Sequence, residues 1–410
     1  MASVVAENED PFEAFDRAQG EGGRNPYPEW AELRAKGPVH ELDLRRQFGL
    51  AVDAELPDLP PGYVAVGYDT VAQVLRDATN FSSQFYAPTI GAVMGHSILE
   101  MDEPEHHRYR GLIQQAFTRK ALERWEHELV HPLVGSLIDG FAGGRADLVR
   151  ELTFPFPVAV IAGMLGLPDE DLEEFHRLAV QLISVSFDWD LAMAASARLR
   201  DYFAAILEER RRKPADDLIS VLAQAELEGQ RLSDDEIFAF LRLLLPAGAE
   251  TTYRSSSNLL FGLLTHPDQL AAVRADRSLL PQAIEEGIRW EPPLTGIIRF
   301  SLGDVEVEGF PIPEGAVVNL SLGSANRDET KFERPDEFDV LRKERQHLSF
   351  ALGPHTCLGM HLARMETAVA LTALLDRLPG LRFDPEADDV QIAGVAFRSP
   401  RSLPVVFDAG

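Results

Sequence analysis

The sequence predicts a mainly α protein with small β-sheets, folded as a single domain over residues 11–410 behind a disordered stretch at residues 1–10. Three observations carry this. Helical periodicity runs through most of residues 104–290, interrupted by turns that Gly and Pro mark, such as Gly166–Pro168. Extended signals are few, short and widely spaced. No internal repeat, low-complexity tract or Gly/Ser linker divides the chain, and 410 residues suffice to bury a large core.

Taken in order, residues 50–62, with Pro57, Pro60, Pro61 and Gly62, read as an irregular loop before a short strand at Tyr63–Val66. Asp102-Glu103-Pro104-Glu105 places a capping Asp three residues before a Glu, with Pro in the first turn, and so predicts a helix start. That helix carries His106 and Arg110 on one face, four residues apart. After the apolar run Leu243–Leu245, Pro246 lacks an N–H; it should free the carbonyl of Arg242 and kink the helix. Pro246, Gly248, Thr251 and Thr252 all weaken or bend a helix at one place, which predicts a groove for a ligand. Further along, Leu280, Ile284 and Ile288 form an apolar stripe that puts Glu286, of the pair Glu286 and Arg289, on the opposite, solvent-facing side. Strands are expected at Val305–Val307, Ala316–Leu320 and Leu403–Phe407, and a last helix from Leu358 onward (Leu358, Leu362, Met365, Val369).

A formal charge of −27 argues against affinity for nucleic acid or anionic membrane. The acidic N-terminus has neither the basic nor the apolar region of a signal peptide, and apolar runs end well short of the roughly 18 residues a spanning helix needs. A soluble cytoplasmic protein is expected. One cysteine, Cys357, excludes an internal disulfide and fits a reducing compartment.

Around it the chain reads Phe350-Ala351-Leu352-Gly353-Pro354-His355-Thr356-Cys357-Leu358-Gly359. Gly353 and Pro354 interrupt any regular element, so Cys357 falls at the N-terminus of the last helix, where free N–H groups and the dipole stabilise a thiolate. The glycines let the backbone pass close to a flat cofactor. Residue chemistry alone leaves four readings: a buried structural thiol, a thiolate metal ligand, a zinc or copper site built from His355, Cys357 and His361 with His347, or a nucleophile with His355 as base.

The segment resembles the haem-binding loop of cytochromes P450, Phe-Gly-x-Gly-x-His/Arg-x-Cys-x-Gly-x-x-x-Ala. Phe350, Gly353, His355, Cys357, Gly359 and Ala363 stand in place, while Ala351 replaces the usual glycine. Two more segments match the family in order. Ala247-Gly248-Ala249-Glu250-Thr251-Thr252 resembles the long central helix over the haem, where an acid and a threonine face the oxygen side. Taken alone, Thr251 would bond back to the carbonyl of Ala247 and Glu250 would be a solvated charge. Glu286 and Arg289 resemble the family's Glu-x-x-Arg pair, and Phe338-Asp339-Val340-Leu341-Arg342 fits the loop that supplies the third member, Arg342; here the resemblance implies burial against the helical wheel.

The resemblance, which covers roughly Pro26 to Phe407, implies a cytochrome P450 fold and a haem b iron ligated by Cys357. It implies His106, Arg110, Arg299 and His355 around the haem propionates, and Glu250 and Thr251 managing protons while one atom of O2 enters a C–H bond. Electrons would come from a ferredoxin and its reductase, docking where Arg110, Arg119, Arg342, Lys343, Arg345 and Arg364 gather. Distal-pocket candidates are the loop Phe85–Leu99, the segment Leu182–Phe187, Leu244, Ala247, Leu294–Ile297 and Val395–Phe397. Their apolar character points to a hydrophobic small molecule such as a terpenoid, fatty acid, steroid or aromatic. A peroxide-driven hydroxylase or a haem-thiolate sensor or carrier would share the cysteine loop, but the Glu250-Thr251 pair favours the monooxygenase.

Overall fold

Apolar residues at helical spacing have to be buried against one another, and in the computed structural model they gather into one extensive helical core and a smaller one around a sheet. The structure describes residues 25–42, 60–141, 143–183, 188–343, 345–388 and 390–408. The expected disorder at residues 1–10, most of the loop at 50–62 and part of the segment Leu182–Phe187 lie outside the described residues.

The elements that position the site begin with α1 (Tyr27–Lys36), β1 (Val39–Glu41), β2 (Gly62–Ala65), α2 (Tyr68–Arg76) and β3 (Phe81–Ser82). Then come α3 (Glu105–Ile113), α4 (Pro155–Met164), α5 (Leu172–Ile183), α6 (Trp189–Arg212), α7 (Asp234–Leu244), α8 (Thr251–Thr265) and α9 (Leu280–Trp290). Strands β4 (Gly296–Ser301) and β5 (Val317–Ser321) precede the final long helix α10 (Met360–Arg377). The main sheet has the order β1-β2-β5-β4-β3, with β2 and β5 parallel and the other pairs antiparallel. Register places Arg299 opposite Val318 and Ile298 opposite Asn319.

The expected strands fall at Gly62–Ala65, Val305–Val307, Val317–Ser321 and Pro404–Val406, within a residue or two of their sequence signals. Asp102 does not cap α3: its carboxylate accepts from the Ser83 N–H (2.9 Å) and the Ser82 hydroxyl instead, tying the start of α3 to β3. Helix α10 starts at Met360 rather than Leu358, with Gly359 as its N-cap residue. Among the described residues no helix is long and apolar enough to cross a membrane.

Helix α8 is buried nearly all round although Ser255, Ser256, Ser257 and Asn258 lie on it. Buried polar groups need partners. Ser257 and Thr153 share a hydrogen bond (2.7 Å), as do Ser256 and Thr367 of α10 (3.2 Å). Asn258 donates to the carbonyls of Glu291 (2.9 Å) and Arg398 (3.0 Å). The Ser256–Thr367 bond pins α8 to α10, and the others pin it to the segments that carry Thr153, Glu291 and Arg398. Leu348 and Leu352 are anchored in the sheet core and Leu362 in the helical core, so the cysteine loop lies at the seam between the two.

Candidate active site

The loop that carries Cys357 is closed on itself. The Cys357 N–H donates to the carbonyl of Phe350 (2.9 Å), and the Thr356 N–H to that of Gly353 (3.1 Å). Gly353 has φ +72°, and a Cβ there would stand 2.5 Å from the carbonyl oxygen of Leu75, so only glycine fits. Ala351 also sits in the left-handed region, at φ 54°, where an L side chain costs roughly 1–2 kcal/mol. The alanine that departs from the family motif therefore occupies a backbone that favours glycine.

The Cys357 thiol takes hydrogen bonds from the N–H groups of Gly359 and Met360. Burial pushes it up, against those N–H groups, Arg110 and Arg364, which pull it down. A bound cation is what makes the thiolate the stable form in such a place. Residues 354–360 are all half-exposed although the chain before and after them enters a core, and a Cβ at Gly359 would meet nothing within 4 Å. The loop thus borders an open space.

Basic side chains converge beside it. Arg110 Nη2 donates to the carbonyl of Thr356 (2.6 Å), and buried Arg299 donates to the carbonyl of Ile298 (2.8 Å). The rings of His106 and His355 lie 4.1 Å apart. His106 is buried, with Nδ1 3.3 Å from Glu103 and Nε2 lacking any hydrogen-bond partner among the described residues. His355 meets Ser83 Oγ (3.1 Å); burial, then Arg299, His106 and Arg110, pushes its pKa down to about 3. Among the described residues Arg110, Arg299 and His355 form no ion pair. Two arginines that depress the imidazole beside them, with an orphaned ring nitrogen next to it, make a seat for carboxylates, and the two propionates of a haem fit it.

The central helix breaks too. Between α7 and α8, Leu245–Glu250 forms a π-helical turn, with Pro246 inside it. The Arg242 carbonyl that Pro246 was expected to free takes the Leu245 N–H instead, by a tightened turn. Ala247 is exposed and Gly248 half-exposed within a helix buried on either side. Thr251 Oγ1 donates to the Ala247 carbonyl (2.7 Å), the back-bond read from the residues alone. Glu250 is not the solvated charge of that reading: it is buried, and its Oε1 accepts from Arg254 Nη2 (3.0 Å) and Nε (3.3 Å). Burial raises the Glu250 pKa, against Arg254, which lowers it.

Glu286 is buried too, contrary to the helical wheel. Its carboxylate accepts from Arg289 (2.7 and 2.8 Å), from Arg342 (3.1 and 3.2 Å) and from the Asp339 N–H (2.9 Å). Arg289 also donates to the carbonyls of Asn326, Pro335 and Glu337. The three residues named from the sequence meet, and they hold the segment leading into the cysteine loop.

Of the pocket candidates, Leu244 is buried, Ala247 and Val395 are exposed, and Phe85, Leu294, Ile297 and Phe397 are half-buried. Leu294 and Phe397 pair through an isolated backbone bridge. Phe85 packs edge-on against Phe300 at 5.4 Å. The six basic residues are not equivalent. Arg342 is spent on Glu286, Arg364 grips Glu285 (2.6 and 2.7 Å), and Arg119 pairs with Glu123 (2.8 Å). Lys343 and Arg345 are exposed. His347 pairs with Glu285 (3.2 Å) and His361 is exposed; among the described residues no group of three His, Cys, Asp or Glu is placed to hold a metal ion.

Sequence reasoning missed three residues here. Arg254 had a signal, its spacing of four from Glu250 on one helix. Glu366 had another: it interrupts the apolar stripe Leu362–Val369, and it is buried, with burial pushing its pKa up to about 8 against a hydrogen bond with Thr252. Glu285 had none, because its partners His347 and Arg364 arrive from distant sequence. Burial pushes it up, yet these two hold it down at about 2.

Comparison with known proteins gives one answer. The family model for cytochrome P450 matches residues 175–389. The chain is 34% identical to the cytochrome P450 monooxygenase PikC of Streptomyces venezuelae, over 94% of this chain and 92% of that one. It is 35% identical to the cyclomarin C epoxidase CymV of Salinispora arenicola, over 94% and 97%. The crystal structure of CYP109E1 from Bacillus megaterium with testosterone superposes with a TM-score of 0.84 at 33% identity, over 94% of this chain and 100% of that one.

Proposed function

The chain belongs to the cytochrome P450 family and is a haem-thiolate monooxygenase with Cys357 as axial ligand, and from that premise we propose that it oxidises a hydrophobic small molecule with electrons from a ferredoxin. The observation that carries the reading is the half-exposed cysteine loop facing converging cations that lack an ion-pair partner among the described residues. The haem, when bound, supplies the redox-active iron that activates dioxygen, with thiolate electron density favouring O–O cleavage.

The remaining chemistry belongs to the chain. The N–H groups of Gly359 and Met360 hold the sulfur. Arg110, Arg299, His106 and His355 would hold the haem through its propionates, Phe350, Gly353 and Gly359 would shape the loop that carries its ligand, and Ala247 and Gly248 would leave room at the opened turn. Thr251 holds a hydroxyl proton at the opened turn, bonded for now to the Ala247 carbonyl (2.7 Å). Glu250 holds a proton-exchanging carboxyl one residue away. Phe85, Leu244, Ala247, Leu294, Ile297, Val395 and Phe397 exclude water and take the substrate by apolar contact. The testosterone held by CYP109E1 supports a substrate of steroid or terpenoid size. Ferredoxin docking is assigned to the face around exposed Lys343 and Arg345, where charge complementarity speeds encounter.

A visible-absorption titration of the ferric protein with testosterone and other apolar ligands tests the substrate class: a shift from low-spin to high-spin haem supports it, and indifference to the whole panel counts against it. Thr251→Ala should keep the haem spectrum and ligand shift yet lower product per electron about tenfold or more, the balance leaving as hydrogen peroxide. Unchanged coupling would remove Thr251 from proton handling.

A further inference from the structure

Arg254 is among the largest fully buried side chains among the described residues, at 1% exposure, and no family motif accounts for it. Its guanidinium has two ends. Nε and Nη2 both donate to Glu250 Oε1 (3.3 and 3.0 Å), while Nη1 donates to Ser399 Oγ (3.0 Å). The same group lies over the rings of Tyr253 (4.9 Å) and Phe397 (5.6 Å). Ser399 and Phe397 belong to one short segment, and Phe397 is bridged to Leu294 at the apolar end of the site. One planar cation thus touches the acid on the central helix and a segment that carries Phe397, one of the residues proposed to take the substrate.

We propose that Arg254 is a positioning residue that holds Glu250 out of proton transfer until a ligand against Phe397 shifts the Phe397–Ser399 segment and draws the guanidinium toward Ser399. The inference rests on the reading of Glu250 as the proton-handling acid. Pairing with Arg254 favours the ionised carboxylate against the burial that opposes it. Released, it is a buried charge without a counter-ion, so it takes up a proton from water. That proton then passes toward Thr251, and the carboxylate returns to Arg254. A ligand shifts such an equilibrium only by the difference in its contacts with the two states, and Phe397 is where this difference arises.

Infrared difference spectra of the holoprotein report the acid directly, through the C=O stretch of a protonated carboxyl; subtracting Glu250→Gln isolates Glu250 from Glu366. The pocket is filled with 4-phenylimidazole, whose ring nitrogen ligates iron and whose phenyl group occupies the apolar side. In the native chain the Glu250 band should be absent without this probe and appear with it. Arg254→Gln should show the band in both conditions, with Arg254→Lys restoring the native pattern at least in part. Ser399→Ala keeps the ion pair and should lose the response to the probe. Should Arg254→Gln fail to fold, Ser399→Ala carries the test alone. A native band that ignores the probe, or a Ser399→Ala protein that responds like the native one, overturns the proposal. Full coupling of product to electrons in Glu250→Gln would instead overturn the reading of the acid itself, which separates the two failures.

Discussion

Two buried glutamate sites on neighbouring helices show opposite designs. On α9, Glu286 is met by two arginines and a backbone N–H, and those arginines are themselves anchored to carbonyls of the segment 326–342. At the junction leading into α8, Glu250 is met by one arginine through one oxygen, and that arginine also serves Ser399. The first site is over-determined and holds the cysteine side rigid. The second is singly held, beside a π-helical turn, and has an alternative partner within reach. Glu366 on α10 extends the series to a buried carboxyl whose contacts, among the described residues, include a threonine and no cation. The number of cations at each buried carboxyl separates scaffold from machinery.

The largest effect should come from breaking the scaffold. Glu286→Ala strands buried Arg289 and half-buried Arg342 and should cost roughly 3–5 kcal/mol, read as loss of soluble, haem-loaded protein. Making the double variant Glu286→Gln with Arg289→Gln should not rescue it, since the carbonyls of Asn326 and Pro335 then lose their donor. The matching pair, Glu250→Gln with Arg254→Gln, should recover most of the melting temperature lost in either single variant. Equal behaviour of the two pairs would erase the contrast.

Smaller, and dependent on pH, is the effect at Glu366. Its carboxyl binds a proton up to about pH 8 in the folded chain and only up to about pH 4.3 in the unfolded one. The folded state therefore carries the extra proton between those values, and this group's contribution to stability falls as pH rises through that window, by up to about 1.4 kcal/mol per unit. Glu366→Gln should melt close to the native protein at pH 5 and well above it at pH 8. A gap that stays constant with pH would mean that Glu366 is ionised in the fold.

The smallest effect sharpens the cysteine side. Ala351→Gly relieves the left-handed alanine but adds unfolded-state freedom worth roughly 0.5–1 kcal/mol, so the net gain should be about 1 kcal/mol or less. It should raise the melting temperature slightly and leave the reduced carbonyl band in place. A loss of stability would show that neighbouring contacts of the Ala351 methyl outweigh the strain.

What could be read in advance follows from where the determining contacts lie. The cysteine loop was legible because rare residue types stand in fixed order within a dozen positions, and the short strands because turn residues bracket them. The helical wheel misplaced Glu286 because its burial is imposed by Arg342 and the Asp339 N–H, more than fifty residues away, which no local period encodes. Asp102 looked like a cap because capping is a local habit, and Ser82 and Ser83 outbid it from another element. Pro246 announced a break, but which carbonyl would be left over depended on how the chain rewound after it.

That rewinding has a consequence for the history of the site. The turn Leu245–Glu250 accommodates one residue more than an α-helical turn would, and each residue of an α-helix subtends about 100°. Everything after it, Thr251 and Thr252 first, is therefore rotated by about that angle from where unbroken α-helical winding of the same residues would place it. Winding those residues evenly would swing the acid and the threonine to a different face with every side chain still present, whereas losing a single codon between Leu245 and Glu250 would restore even winding and leave them on the face they occupy. The chemistry of this helix is thus recorded in its spacing as much as in its residues, and an alignment that closed the one-residue difference as a gap would erase the instruction.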